Sequence, residues 1–207
     1  MEITWLGRNC FRLKGREGTV LTDPPPPDSG YVIGKQQANI VTLSNHTDPG
    51  YSYTDPIEGA RTLDAPGEYE VAGILVSGIP VIRGDGSRNM IFRIEIDGIR
   101  IVHLGLPDTP PGPETVGQMD DVDVLLMPVG GGNSLAPDRV TDAMETIDPH
   151  LAIPMNYKTE VERADLEFID RFLKETGAIV EPLPKLQVTR SSIPNELTVQ
   201  VLQPAKK

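Results

Sequence analysis

Apolar residues recur along the first half of the chain in short runs at period two, the spacing of half-buried strands. Residues 3–6, 10–13 and 19–22 read as strands broken by Gly7 and Gly15, and 40–43 reads as a further buried strand. Segments 61–63, 69–71 and 74–79 follow, the last two split at Ala72-Gly73. The clearest hairpin joins 90–96 to 99–104 through Asp97-Gly98, a pair that accepts positive φ at both positions of a type I′ turn. On its first strand Met90, Phe92, Ile94 and Ile96 share one face, and Ile91, Arg93 and Glu95 share the other.

The pattern changes in the second half. Residues 122–129 form a nearly continuous apolar run, as in a strand buried on both faces, and 151–153 repeats it. Val140, Ala143, Met144 and Ile147 predict a helix over 137–147, with Pro137 suited to its first turn. Leu166, Ile169, Phe172 and Leu173 predict a longer helix over 162–176, stopped by Gly177. Segments 179–180, 186–189 and 197–202 close the chain as strands. Many strands with helices mainly late predict an α/β (α+β) chain of mixed sheets with helices outside. At 207 residues it suits a single domain over 1–207, with two halves meeting near 105 and 106.

Charge removes two function classes. The formal net charge of −11 repels phosphate backbones and anionic lipid, so neither nucleic acid nor membrane is an expected partner. No basic n-region follows Met1 and no apolar stretch approaches about 20 residues, so a cytoplasmic location is expected. Cys10 is the single cysteine, which forbids an intrachain disulfide; it reads as a small buried hydrophobe. Of 20 prolines, clusters at 24–27 and 107–113 read as stiff loops, because strand patterns resume after each. Gly130-Gly131-Gly132 lacks the Gly-Lys-Ser/Thr of a phosphate loop and reads as a turn where backbones approach closely.

The stretch with most chemistry is Ser44-Asn45-His46-Thr47-Asp48-Pro49-Gly50-Tyr51, delivered by the strand at 40–43. It supplies one imidazole and one carboxylate, whereas a catalytic zinc takes three protein ligands. By itself the loop is either part of a metal site completed elsewhere or a polar turn.

Landmarks along nearly the whole chain resemble the metallo-β-lactamase superfamily. The resemblance is to its branch of small metal-dependent hydrolases that includes ascorbate-6-phosphate lactonase. They are the opening Ile3-Thr4-Trp5-Leu6-Gly7-Arg8-Asn9-Cys10-Phe11, then Thr22-Asp23-Pro24, Asp64-Ala65-Pro66-Gly67-Glu68-Tyr69-Glu70, and His103-Leu104-Gly105. Met127-Pro128-Val129-Gly130-Gly131 and Ile153-Pro154-Met155-Asn156-Tyr157-Lys158-Thr159 complete the series. The resemblance implies a four-layer αββα sandwich with one or two metals, zinc or manganese, at one edge between the sheets. Such metals activate a bound water.

The departures fall on metal-facing positions. The resemblance puts histidines after Gly7 and after Pro154-Met155, where this chain has Arg8 and Asn156. It puts an aspartate after His103-Leu104-Gly105, where the chain has Leu106. Its His-x-His-x-Asp-His motif aligns either with 44–49, keeping His46 and Asp48, or through Pro49-Gly50, placing Tyr51 and Asn45 on histidine positions. Leu106 has no donor atom, and Arg8 would oppose a dication. The candidate cleft is therefore Arg8, Asn45, Tyr51, Leu106, Asn156 and Lys158, open to a small anionic ligand beside Arg8 and Lys158. The expected function is non-catalytic binding or structure without a bound metal, and self-association into a homo-oligomer is expected from the branch. The competing expectation is a zinc- or manganese-dependent hydrolase with a reduced site drawn from His46, Asp48, His103 and Asp108. Period two also places His103 on the face of Ile99 and Ile101, as a core histidine.

Overall fold

The structure is a computed structural model that describes residues 1–205. Its strands in chain order are β1 (Glu2–Gly7), β2 (Cys10–Lys14), β3 (Thr19–Thr22), β4 (Gln36–Gln37), β5 (Ile40–Thr42), β6 (Ile57–Glu58), β7 (Arg61–Leu63) and β8 (Gly67–Val71). There follow β9 (Ile74–Ile82), β10 (Arg88–Ile96), β11 (Ile99–His103), β12 (Val124–Pro128), β13 (Leu151–Met155), β14 (Leu186–Gln187) and β15 (Thr198–Val199). The helices are α1 (Pro113–Met119), α2 (Val140–Ile147) and α3 (Asp170–Thr176). One six-stranded sheet runs β14-β1-β2-β3-β5-β7, and a seven-stranded sheet runs β15-β13-β12-β11-β10-β9-β8. The chain passes from one sheet to the other between Leu63 and Gly67, and β14 returns to the first. Residues 105 and 106, where the two halves are expected to meet, thus follow β11 inside the second sheet's share of the chain.

The main core lies between the sheets. Phe11 and Leu13 of β2 join Phe92, Ile94 and Ile96 of β10 there, all essentially inaccessible to solvent. Asp97 and Gly98 take φ of 54° and 71°, as the hairpin pattern requires. The opposite face of β10 meets the helical layer, where Arg93 Nε donates to the Met119 carbonyl at the end of α1. Every residue of parallel β12 and β13 is buried, which explains their unbroken apolar sequence. The α2 stripe Val140, Ala143, Met144 and Ile147 packs into the same core. Over the outer face of the first sheet lie loops, one 3-10 turn at Pro27–Ser29 and the β4–β6 ribbon, with Cys10, Leu21 and Val41 in a small cluster beneath. Among the described residues no helix is long and apolar enough to cross a membrane.

Four expectations need correction. The helix expected over 162–176 begins only at Asp170. Upstream, the backbone is used in tertiary pairing: Lys158 N–H bonds the Glu167 carbonyl, Glu167 N–H bonds the Gly130 carbonyl, and Lys158 bridges to Phe168. These partners outcompete the i→i−4 ladder that the local apolar stripe favours. Residues 179–180 form no strand, and Ile179 is fully exposed. The expected strand at 197–202 shortens to Thr198–Val199, with a separate bridge between Leu183 and Leu202. Helix α1 is missing from the sequence reading, because the proline cluster masks it; Pro113 itself occupies the first turn, where it is tolerated.

Gly130 is a close-approach glycine, as expected: a Cβ there would overlap the Asn156 carbonyl oxygen. Since that contact is backbone, Gly130→Ala is expected to cost about 1–3 kcal/mol, the usual range for overpacking. An unchanged urea midpoint would refute it.

Candidate functional site

The turn between β1 and β2 organises the site. Gly7 and Arg8 take φ of 111° and 47°, and a Cβ on Gly7 would overlap the Tyr31 ring. Only glycine permits that approach at that φ. Trp5 Nε1 and the Asn156 N–H both donate to the Arg8 carbonyl, at 2.8 and 3.2 Å, and fix the turn.

The Arg8 side chain then enters a buried polar knot. Its Nη2 donates to Glu162 Oε1 at 2.9 Å and its Nε to Oε2 at 3.1 Å, while Nη1 donates to the Gly50 carbonyl at 3.2 Å. The two side chains are 11% and 0% exposed. Burial works against the guanidinium's charge, but the Glu162 carboxylate outweighs it, and the Arg8 pKa rises. The guanidinium carbon lies 5.5 Å from the Tyr51 ring centroid, in cation–π range. Burial pushes the Tyr51 phenol up to about 12, so it stays a donor, and it donates to Asn156 Oδ1 at 3.0 Å. Asn156 sits at φ 52°, a region Asn tolerates better than most residues. Its Nδ2 is buried without a partner among the described residues, at a cost of about 1–3 kcal/mol.

Asn9 links this knot to a second one. Its Nδ2 donates to Asp23 Oδ2 at 3.3 Å and to the Gly105 carbonyl at 3.2 Å. Asp23 is fully buried; burial raises its pKa against the pull of His103 and of the Ser44 N–H, which donates to Oδ1 at 2.6 Å. His103 Nε2 faces the Asn9 carbonyl at 2.9 Å, an acceptor, so Nε2 carries the proton. Nδ1 then accepts the Gly105 N–H at 3.2 Å, and both ring nitrogens are committed to backbone.

Burial holds the His103 pKa below its ordinary value. The unfolded chain therefore takes up the proton first as pH falls. The stability gained from a neutral buried His103 is complete above about pH 6.5 and is lost progressively below it. We expect the melting temperature to fall from pH 7 to pH 5, with a shallower slope in His103→Gln; identical slopes would exclude this source.

The structure thus gathers Arg8, Tyr51 and Asn156, and puts His103 in a separate buried knot. Asp48 reaches the rim, where its Oδ1 accepts the Gly50 N–H and its Oδ2 the Asn133 amide. Asn45 turns back on its own loop, its Oδ1 accepting from Thr47 N–H and Oγ1. His46 is exposed, and Leu106 is fully buried. Asp108 caps a loop elsewhere, accepting the Gly84 N–H at 2.6 Å. Lys158 Nζ donates to the carbonyls of Glu162 and Ala164, so the expected pairing of Lys158 with Arg8 around an anion is not formed: both cations are spent on protein oxygens. Glu162 and Asp23 are site residues the sequence reading missed. The signal for Asp23 was its place at a strand end before four prolines; Glu162 carried none, because it was placed on a helix.

Among the described residues no group of three or more His, Cys, Asp or Glu side chains is gathered to hold a metal ion. The donor set does not fit a dication: a guanidinium stands in the knot, both His103 nitrogens are committed, and Leu106 offers no donor. Beside the Arg8–Glu162 pair opens a cleft of about 500 Å³, with Tyr53, Pro26, Pro49 and the exposed Arg163 in its walls.

Two facing mixed sheets with a polar knot at the ends of their strands define a metallo-β-lactamase-type α/β sandwich. The chain belongs to the Beta-lactamase superfamily domain family, whose sequence model matches residues 2–156. It is 29% identical over 189 residues to a UPF0173 protein of Pyrococcus furiosus, covering 81% of this chain and 89% of that one. It is 29% identical over 210 residues to a UPF0173 metal-dependent hydrolase of Thermoplasma acidophilum, covering 86% and 92%. A crystal structure from Thermotoga maritima, provisionally described as a Zn-dependent hydrolase of the metallo-β-lactamase superfamily, superposes with a TM-score of 0.80 at 30% identity. It covers 98% of this chain and 99% of the other.

Proposed function

We propose that this protein is a non-catalytic binding member of its superfamily, in which an internal ion pair occupies the place of the metal centre. The observation that carries the reading is Arg8. Its guanidinium is buried, doubly bonded to Glu162 and stacked against Tyr51, whose hydroxyl is taken by Asn156. A fixed positive charge there repels a dication, and its pairing leaves no empty coordination position for a water nucleophile. The cleft beside the pair has a volume ordinary for small-molecule sites. Arg163, which makes no ion pair among the described residues, is the cation that would meet a small anionic ligand there.

The competing reading, a metal-dependent hydrolase with a reduced site, is favoured by the names of the Thermoplasma and Thermotoga relatives. The two separate on metal content. Untagged protein, incubated with zinc or manganese and then dialysed, is expected to retain well under one metal per chain, unchanged in His46→Ala. Near-stoichiometric metal that is lost in His46→Ala or His103→Ala would establish the hydrolase reading instead.

A further inference from the structure

The outer face of the first sheet holds a second pocket that shares no residue with the cleft beside Arg8. Phe11 and Leu13 point into the main core, so period two puts Arg12 and Lys14 on the outer face of β2. Toward the site, that face is covered by the apolar cluster around Cys10 and Leu21. Beyond it the covering is only the β4–β6 ribbon, and a cavity of about 640 Å³ opens between sheet and ribbon. Arg12, Lys14 and Thr19 form one side; Lys35, Gln37 and Glu58 belong to the other.

Three cations against one carboxylate give a local charge near +2 on a chain whose net charge is −11. Arg12 and Lys14 stand about 7 Å apart on one strand face, where like charges repel. Neither is neutralised at contact distance. The nearest carboxylate to Arg12 is Glu2 at 3.9 Å, and the Glu2 carboxylate is already held by Lys185 at 2.7 Å and Gln187 at 2.8 Å. Arg12 Nε is buried yet has no hydrogen-bond partner among the described residues. Lys14 has no ion pair among them. Lys35 reaches Glu58 only at 3.6 Å, with both side chains largely in solvent. The walls are set: Asn39 Oδ1 accepts the Thr19 N–H, and Gln36 Nε2 donates to the Ile33 carbonyl.

We propose that this pocket binds a small phosphorylated molecule. Its phosphate would take the unused Arg12 Nε–H and the Lys14 ammonium, with Lys35 closing from the ribbon. A guanidinium edge beside two ammonium groups suits a dianion with several acceptor oxygens.

Inorganic pyrophosphate and phosphate are the probes, titrated calorimetrically into the full chain at ionic strength matched with chloride, with melting temperature as a second readout. Pyrophosphate is expected to bind more tightly than phosphate and to raise the melting temperature above the chloride control. Arg12→Gln/Lys14→Gln is expected to weaken pyrophosphate about ten-fold or more, the effect of losing one charge-assisted contact. Lys35→Gln, whose side chain is 88% exposed and cannot disturb folding by core loss, is expected to weaken it less. Arg163→Gln, in the other cleft, is expected to leave it unchanged. No binding beyond the chloride control, binding that survives the double variant, or binding lost in Arg163→Gln would each overturn the proposal.

Discussion

Glu162→Ala is expected to destabilise the protein by about 3–5 kcal/mol, the cost of removing one partner from a buried ion pair. The effect is large because the partner left behind cannot escape. Arg8 is held by its own backbone, which accepts from Trp5 and Asn156, and its guanidinium lies against the buried Tyr51 ring. Without Glu162 only the Gly50 carbonyl remains as an acceptor for it. The substitution also frees the Ala164 N–H, which donates to Glu162 Oε1 at 2.8 Å, and so loosens the loop that follows.

Removing both charges should cost much less than the sum of the single losses. A buried pair contributes little net stability once its desolvation is counted, so Arg8→Met/Glu162→Leu is expected to recover most of what Glu162→Ala loses. Urea denaturation of the two single variants and the double variant gives the coupling energy directly. Additive single effects would mean that the pair is solvated and that Arg8 is not a trapped charge. The same cycle bears on function, since a guanidinium free to leave the knot could make room for a cation.

Local rules explain what the sequence revealed. The Asp97-Gly98 hairpin and the parallel strands β12 and β13 were legible because turn geometry and two-sided burial leave marks on adjacent residues. The altered ligand positions were legible for a similar reason: Arg8, Leu106 and Asn156 stand beside landmarks that remain. Long-range partnerships were not. Glu162 meets Arg8 across 154 positions, and no local pattern announces it; the apolar stripe at Leu166 and Ile169 instead extended a helix through residues whose backbone is paired elsewhere. Asp23 escaped notice because its role depends on Asn9 and Ser44, which lie on different strand ends. Lys158 illustrates the opposite error. Its charge suggested an anion contact, but the loop it carries supplies two carbonyls to satisfy it.

Reinstalling ligands at the altered positions is expected to create a zinc site where the parent chain has none. Arg8→His, Tyr51→His, Leu106→Asp and Asn156→His together remove the repelling guanidinium and add three imidazoles and a carboxylate, which meets the three-ligand minimum of an open zinc site. The positions are suited to it. Tyr51 and Asn156 already touch at 3.0 Å, and Arg8 packs on Tyr51. At the positive φ of Arg8 and Asn156, histidine is among the better-tolerated replacements. Without metal the variant should be less stable than the parent, because Glu162 loses its partner. Zinc at about 100 times its dissociation constant should then add about 2.7 kcal/mol, seen as a melting shift that a chelator reverses. The parent chain should show no such shift. Subsets that leave Arg8 in place should bind weakly even with the other three ligands present, since the charge that excludes the metal would still be there. A folded quadruple variant that takes up no zinc would mean that Leu106 does not face the same space as the other three, and that the cleft never held a metal in this arrangement.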